Sequence, residues 1–348
     1  MDLTEKELRA EITAKKLRNS YVFYGNEQYA MRRMVTSVSN LAVNKEDDFN
    51  RARFDGAVSV QEIYDAVYSL PFLSDKKLVT VVDFPIAKTS DKDIKILADM
   101  LSDVPQSTVL ILYFETVEID TKRLPANLKK LNTACEKSGG AVCEFTKRTV
   151  PELTKMLMEG ASRRGCMLQP SIAVYMTELC GDDLSVLVGE LSKVCAYAHG
   201  QNITKEIIDK VCSKNVDVSI YDLSKKLLAL DMQGVYLLLD DLFFSRTPAT
   251  YIVSVLASTF VDMYRAKIIK EEGKIPENFA ADFGYSEKMS FKIKNASRDA
   301  ARLSVDGIVK CLEAFDECDA NLKFSRMNEK TAIEQLVTNL AVIIERSR

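Results

Sequence analysis

The chain has 348 residues, 47% of them apolar, which is enough to bury more than one hydrophobic core and too long for a single compact one. Its 47 basic and 50 acidic side chains leave a formal charge of −3, so any attraction for nucleic acid has to come from a local patch and not from the chain as a whole. No apolar run nears the ~20 residues that span a bilayer, and the charged start, MDLTEKELRAEITAKK, lacks a signal-peptide core, so a cytoplasmic protein with no membrane partner is expected.

Residues 1–146 alternate in period. The segments YVFY (21–24), FNRARF (49–54), LVTVV (78–82), TVLILYF (108–114) and AVCEF (141–145) read as strands, with helices near 27–43, 59–69, 91–102 and 121–137 between them. Three of the strands are unbroken apolar runs, as in a parallel sheet covered on both faces, so this part reads as a doubly wound α/β domain.

Such a domain keeps phosphate chemistry in the turn after its first strand, where G-x-x-x-x-G-K-[ST] lets backbone amides cradle the phosphates and a lysine meet their charge. Here the turn reads YVFYGNEQYAMRRMV: Gly25 is present, but Ala30, Met31 and Arg32 stand at the positions of the second glycine, the lysine and the hydroxyl residue. Met31 cannot neutralise a phosphate and nothing offers a hydroxyl to magnesium, so no nucleotide cofactor is expected. Arg32 and Arg33 read either as rescuing phosphate ligands or as a solvated helix face. Asp83 and Glu115 end strands singly and form no acidic pair for a metal.

Ser59 and Glu62 form an S-x-x-E capping box for a helix whose expected buried stripe is Ile63, Ala66, Val67 and Leu70. Pro71 stops that helix. Leu70, Pro71, Phe72 and Leu73 therefore sit in a loop, in SLPFLSDKKLVTV. Periodicity leaves two readings open, a loop folded under on its own apolar side chains or an exposed anchor for a partner's pocket.

After Thr149-Val150-Pro151 the strand signals stop, and helices near 151–164, 170–180, 182–198 and 204–213 make a small helical domain over 147–214. Asp182 and Asp183, directly after Gly181, read as an N-cap and a first-turn acid in preference to a metal pair. The eight cysteines never form C-x-x-C and mostly lie in apolar patterns, where reduced thiols pack as small hydrophobes. His199, before Gly200 at a helix end, is the single histidine, which excludes a multi-histidine metal site and argues against Ser-His or Cys-His catalysis. Neither a catalytic residue nor a metal is expected.

Residues 215–348 read as a second helical domain, one helix opening with Thr247 and Pro248 as N-cap and first position and another with Ser304. Its stretch YSEKMSFKIKNASRDAAR carries Lys288, Lys292, Lys294, Arg298 and Arg302 among Tyr285 and Phe291. That is the best nucleic-acid candidate in the chain, and equally the solvated basic face of a helix.

The ordered set YVFYGNEQYAMRRMV, RFDG with its capped helix, SLPFLSDKKLVTV, GDDLSVLVGELSKVCAYA, NITKEIIDKVC, IYDLSKKLLALDMQGVYLLLDDLF and AFDECDANLK closely resembles the delta subunits of bacterial DNA polymerase III clamp loaders, over residues 18–340. The resemblance implies an AAA+-like parallel-sheet N-terminal domain that has lost its ATP site, a small helical lid domain and a C-terminal helical collar domain. It implies that the loop Leu70, Pro71, Phe72 and Leu73 enters a hydrophobic pocket of the sliding clamp, the beta subunit, and favours the open ring during replication. Pro71 matches many relatives, while others carry a bulky aliphatic residue there. Implied partners are the gamma/tau and delta prime loader subunits and primer-template DNA. The alternatives are a P-loop-like ATPase with a non-standard site, or an adaptor whose apolar loop binds something else.

Overall fold

The computed structural model describes residues 3–56, 58–279, 281–284 and 290–347, with the side chains of residues 290–292 and 302 excepted. The chain divides into two compact units, one of Met1–Thr177 with Asp182–Ile208 and the other of Glu178–Gly181 with Asp209–Arg348.

The first unit opens with α1 (Glu5–Thr13), started by a capping box in which the Thr4 hydroxyl accepts from the Glu7 amide. Five strands follow, β1 (Ser20–Gly25), β2 (Arg51–Asp55), β3 (Lys77–Val82), β4 (Thr108–Tyr113) and β5 (Ala141–Phe145). Between them lie α2 (Gln28–Ala42), α3 (Val60–Tyr68), α4 (Asp91–Ser102) and α5 (Ala126–Lys137). The strands form one sheet in the order β2-β3-β4-β1-β5, and every pairing is parallel. The inner strands β3 and β4 are buried at every position, whereas the edge strand β2 is not, which is why its sequence mixes charge with apolar residues.

The second helix of this layer starts as its sequence predicts, with Ser59 and Glu62 exchanging both capping hydrogen bonds. The expected helix near 121–137 begins later, at Ala126. Asp120 turns the chain by accepting from the amides of Lys122 and Arg123, and Pro125, which cannot donate a backbone bond, occupies the N-cap.

The remaining elements of this unit are α6 (Val150–Ser162), the short strands β6 (Met167–Leu168) and β7 (Asn202–Ile203), which pair in parallel, and α8 (Leu184–Ala198). Helices α7 (Pro170–Cys180) and α9 (Lys205–Val211) run across the division between the units. The N-cap of α8 is Asp183, whose carboxylate accepts from Val186; Asp182 lies one place before the cap, so the expected cap moves along by one residue. His199 ends α8 in the left-handed region, at φ 47°.

The second unit is helical: α10 (Val216–Ala229), α11 (Met232–Phe244), α12 (Ala249–Glu271), a 3-10 turn at Pro276–Phe279, α13 (Ser290–Asp299), α14 (Val305–Phe324) and α15 (Glu329–Arg346). One apolar core runs through it, from Ile220, Leu223 and Leu239 through Ile252, Leu256 and Phe260 to Phe315, Leu336 and Leu340. Phe260 meets Phe315 edge-on at 5.2 Å between ring centroids. Ser304 caps α14 as predicted, accepting from Gly307. The expected cap at Thr247 is displaced by one residue: Pro248 is the N-cap of α12, and the Thr247 hydroxyl is buried without a hydrogen-bond partner. Among the described residues no helix is long and apolar enough to cross a membrane.

Candidate functional site

Two edges of the parallel sheet concentrate the candidate residues, and they are at opposite ends of the strands. At the carboxyl edge, where α/β folds bind nucleotides, the turn after β1 is built around Gly25 at φ 125°. A Cβ there would come 2.2 Å from the Phe145 carbonyl oxygen, so only glycine fits. That close approach uses up the donors that a phosphate needs, because the Phe145 carbonyl accepts from the amides of both Asn26 (2.8 Å) and Glu27 (3.0 Å). Ala30 and Met31 are fully buried, and Glu27 is buried at the N-cap of α2. Burial pushes the Glu27 carboxyl up, against the Arg148 charge and the amides of Ala30 and Tyr29. An anion approaching this helix terminus meets a carboxyl group already in place.

The two strand-end acids are also committed. Asp83, itself left-handed at φ 51°, accepts from the amides of Glu115 (2.6 Å) and Thr116 (3.0 Å) and from the Thr116 hydroxyl (2.7 Å), tying the tip of β3 to the turn after β4. Desolvation opposes ionisation of Asp83 most strongly of any single influence, yet the bonds from Thr116, Glu115 and Val117 together hold its carboxyl below the ordinary value. Glu115 pairs with Arg32, and Arg33 lies over the Tyr29 ring at 5.8 Å. The carboxyl edge is therefore wired to itself.

At the amino edge the chain does the reverse and holds apolar groups out. Leu70 is 87% exposed, Phe72 61% and Leu73 92%, with Pro71 half-buried between them; Leu70 thus leaves the expected buried stripe, because α3 ends at Tyr68, ahead of it. Leu73 is left-handed at φ 49°. Three buried or half-buried polar groups fix the backbone beneath. Lys77, the first residue of β3, is buried and donates to the Ser69 hydroxyl at 2.6 Å and to the carbonyls of Ala66 and Ser69, closing the end of α3; burial pushes its ammonium down. The Thr108 hydroxyl donates to the Val67 carbonyl at 2.9 Å. Asn50, only 4% exposed, donates to the Phe72 carbonyl at 2.8 Å and accepts from the Phe72 amide at 2.7 Å. Asp47 in turn accepts from the Asn50 amide and side chain.

Asn50 and its neighbour Phe49 are residues that sequence reasoning missed. The strand expected over FNRARF is shorter in the structure: β2 starts at Arg51 and leaves Phe49 in the preceding loop, 86% exposed, its ring centroid 5.8 Å from that of Phe72. The available signal was an aromatic residue followed by Asn, a turn former, immediately before the charged edge strand.

In the second unit, Lys294 and Arg298 lie on the exposed face of α13, opposite the buried Ile293, Ala296 and Ala300. Arg298 also contacts the carboxylate of Asp299 at 3.4 Å, which offsets part of its charge. Lys288 and the Lys292 side chain lie outside the described residues.

Two family models match the chain, the DNA polymerase III delta subunit over residues 21–138 and the C-terminal domain of the DNA polymerase III delta subunit over residues 217–340, more than half of the chain between them. The chain belongs to the DNA polymerase III delta-subunit family. A DNA clamp loader delta protein of Bacillus subtilis has a similar fold, at a TM-score of 0.63 and 18% identity over 97% of this chain and 99% of that one. A DNA polymerase III gamma subunit-related protein of Thermotoga maritima is more distant, at a TM-score of 0.39 and 13% identity over 98% of this chain and 99% of that one. No curated protein matches the sequence. Both stretches quoted above, the turn after β1 and the apolar loop, fall inside the first delta-subunit match.

Proposed function

We propose that this delta-family chain binds the sliding clamp of its replication machinery through Leu70, Pro71, Phe72 and Leu73 and favours the opened ring, so that the clamp can be placed on primed DNA. Family membership supports the clamp-loader role. The observation that carries the finer reading is the loop itself: three large apolar side chains stand in solvent on a backbone pinned by Asn50, Lys77 and Thr108. A loop closing over its own core would bury those side chains. A pinned, exposed set is instead preorganised for a partner's pocket, since its ordering cost is already met in the unbound protein. Opening follows if the clamp's open form binds this loop more strongly than its closed form, for a ligand shifts an equilibrium only by that difference.

The chain is proposed to have no ATPase activity of its own. The amides of Asn26 and Glu27 are taken by Phe145, Met31 stands in place of a lysine, and Asp83 and Glu115 are bound within the fold. Timing would then come from ATP-binding partners, the gamma/tau subunits, with delta prime completing the assembly. Residues 147–214 are proposed as the lid domain and 215–348 as the collar that joins the other subunits. Primer-template DNA is assigned to the basic stretch of Lys288, Lys292, Lys294 and Arg298, supported by the exposure of Lys294 and Arg298.

The deciding experiment is size-exclusion chromatography of the chain with its cognate clamp, without nucleotide. Co-elution that Phe72→Ala abolishes is expected. Separate elution of the unaltered chain and the clamp would overturn the reading.

A further inference from the structure

Isolated apolar side chains on a surface need no explanation, but adjoining ones do. Phe49 is 86% exposed, its ring is tilted 47° to that of Phe72 at 5.8 Å between centroids, and Phe72 is flanked in sequence by the exposed Leu70 and Leu73. The two rings come from different segments, one before β2 and one before β3. Their backbones are nonetheless tied together. Asn50, the residue after Phe49, is the group that holds both backbone polar atoms of Phe72, and Asp47 holds Asn50 from the other side.

We propose that Phe49 is a second aromatic anchor, entering the same apolar pocket of the sliding clamp as Phe72, so that the docking element is a rigid pair of rings on two segments and not one linear motif. This rests on the reading that Phe72 docks on the clamp. The partner chemistry follows from the geometry: an apolar depression wide enough for two tilted rings 5.8 Å apart, lying against both at once. Phe49 contributes almost nothing to its own fold, since so exposed a ring leaves no cavity when removed, and among the described residues the ring it meets is that of Phe72. Aromatic groups grouped around a central anchor are where binding energy concentrates, and their rigid rings lose little conformational entropy on docking.

The test is calorimetric titration of the purified sliding clamp with the full chain carrying Phe49→Ala, Phe72→Leu or both, alongside thermal melting of each variant. Phe49→Ala should weaken binding about tenfold with an unchanged melting temperature, and should weaken it again in the Phe72→Leu background. Binding by Phe49→Ala within about twofold of the unaltered chain, while Phe72→Leu is clearly weakened, would overturn this inference and leave the clamp reading intact. A Phe49→Ala loss that vanishes in the Phe72→Leu background would also overturn it, making Phe49 a brace for Phe72 and not a contact. A fall in melting temperature matching the loss of affinity would count the same way. No effect from any of the three variants would overturn the clamp reading itself.

Discussion

The side-chain amide of Asn50 bonds both backbone polar groups of Phe72, donating to its carbonyl at 2.8 Å and accepting from its amide at 2.7 Å. A nearly buried side chain is thus spent on fixing the main chain of an exposed one. Asn50→Ala removes both partners at once, and leaving such groups unsatisfied costs about 1 to 3 kcal/mol. The variant is expected to unfold at lower urea concentration and to exchange the Phe72 amide hydrogen faster, with clamp affinity falling as the loop loses its preorganisation. Unchanged exchange at that amide would show that the bonds do not hold the loop in solution.

Phe72→Ala separates binding from stability. Truncating a central aromatic anchor costs about 2 kcal/mol or more of affinity, roughly thirtyfold, whereas a core Phe→Ala costs about 3 to 5 kcal/mol of stability. With Phe72 61% exposed, clamp binding should fail and the melting temperature should hardly move. A variant that melts much lower but binds normally would make Phe72 a lid on its own core.

At the other edge of the sheet, magnesium-ATP is expected to leave the melting temperature unchanged at millimolar concentration, because a ligand stabilises the native state only as its concentration nears and exceeds its dissociation constant. The bound Phe145 carbonyl and the buried Met31 give the nucleotide no cradle. A rise in melting temperature that grows with nucleotide concentration, or turnover by the pure chain, would contradict this.

Acid stability should depend on the α1 segment. The bidentate bond from Arg18, at 2.8 and 2.6 Å, is the main reason the Glu11 carboxyl falls from its ordinary 4.5 to about 2, and Asp83 too is held below its ordinary value. Both folded-state values lie below the unfolded ones. The Glu11 stabilisation is therefore complete above about pH 4.5 and is lost as pH falls toward 2, and that of Asp83 is lost as pH falls through its own lowered value. Urea midpoints measured across this range should drop, and Arg18→Ala should flatten the Glu11 part of the slope. An identical acid limb in that variant would refute the assignment.

The buried thiols should be inert in the native state. Seven of the eight are buried, and Cys212 is partly exposed. Burial pushes Cys311 up to about 12 and Cys135, Cys195 and Cys318 up to about 11. Titration with an aromatic disulfide near pH 8 should label Cys212 first, with the others following only on unfolding. Rapid labelling of several thiols would mean that the cores open far more readily than their packing suggests.

The sheet was legible because its inner strands are continuous apolar runs, and the helix before the loop because Ser59 and Glu62 announce its start and Pro71 its end. The departure from a phosphate-binding turn could be read as well, since Met31 stands where a lysine would. The exposure of Phe72 could not be read from periodicity, which places a side chain on a face but does not say whether anything covers that face. Asn50 was hidden for a related reason: its partner Phe72 lies 22 residues away, and a strand pattern that began two residues too early absorbed it together with Phe49. The shift from Thr247 to Pro248 at the start of α12 reflects the same limit on a smaller scale, for proline is compatible with either position.

The placement of the loop ahead of β3 has a mechanical consequence. β3 is zipped to β2 on one side, from Leu78 to Val82, and to β4 on the other, from Lys77 to Tyr113 at its far end. A pull on Phe72 directed along the strands would load both rows of hydrogen bonds in shear, all rungs sharing the tension, where a pull on an edge strand could peel its rungs one at a time. Lys77 is the rivet between loop and strand, fastening the end of α3 to the first rung. A handle attached in this way transmits force to the whole sheet before it stretches, so that the work of bending a bound ring would go into the ring and little of it into the loop that grips it.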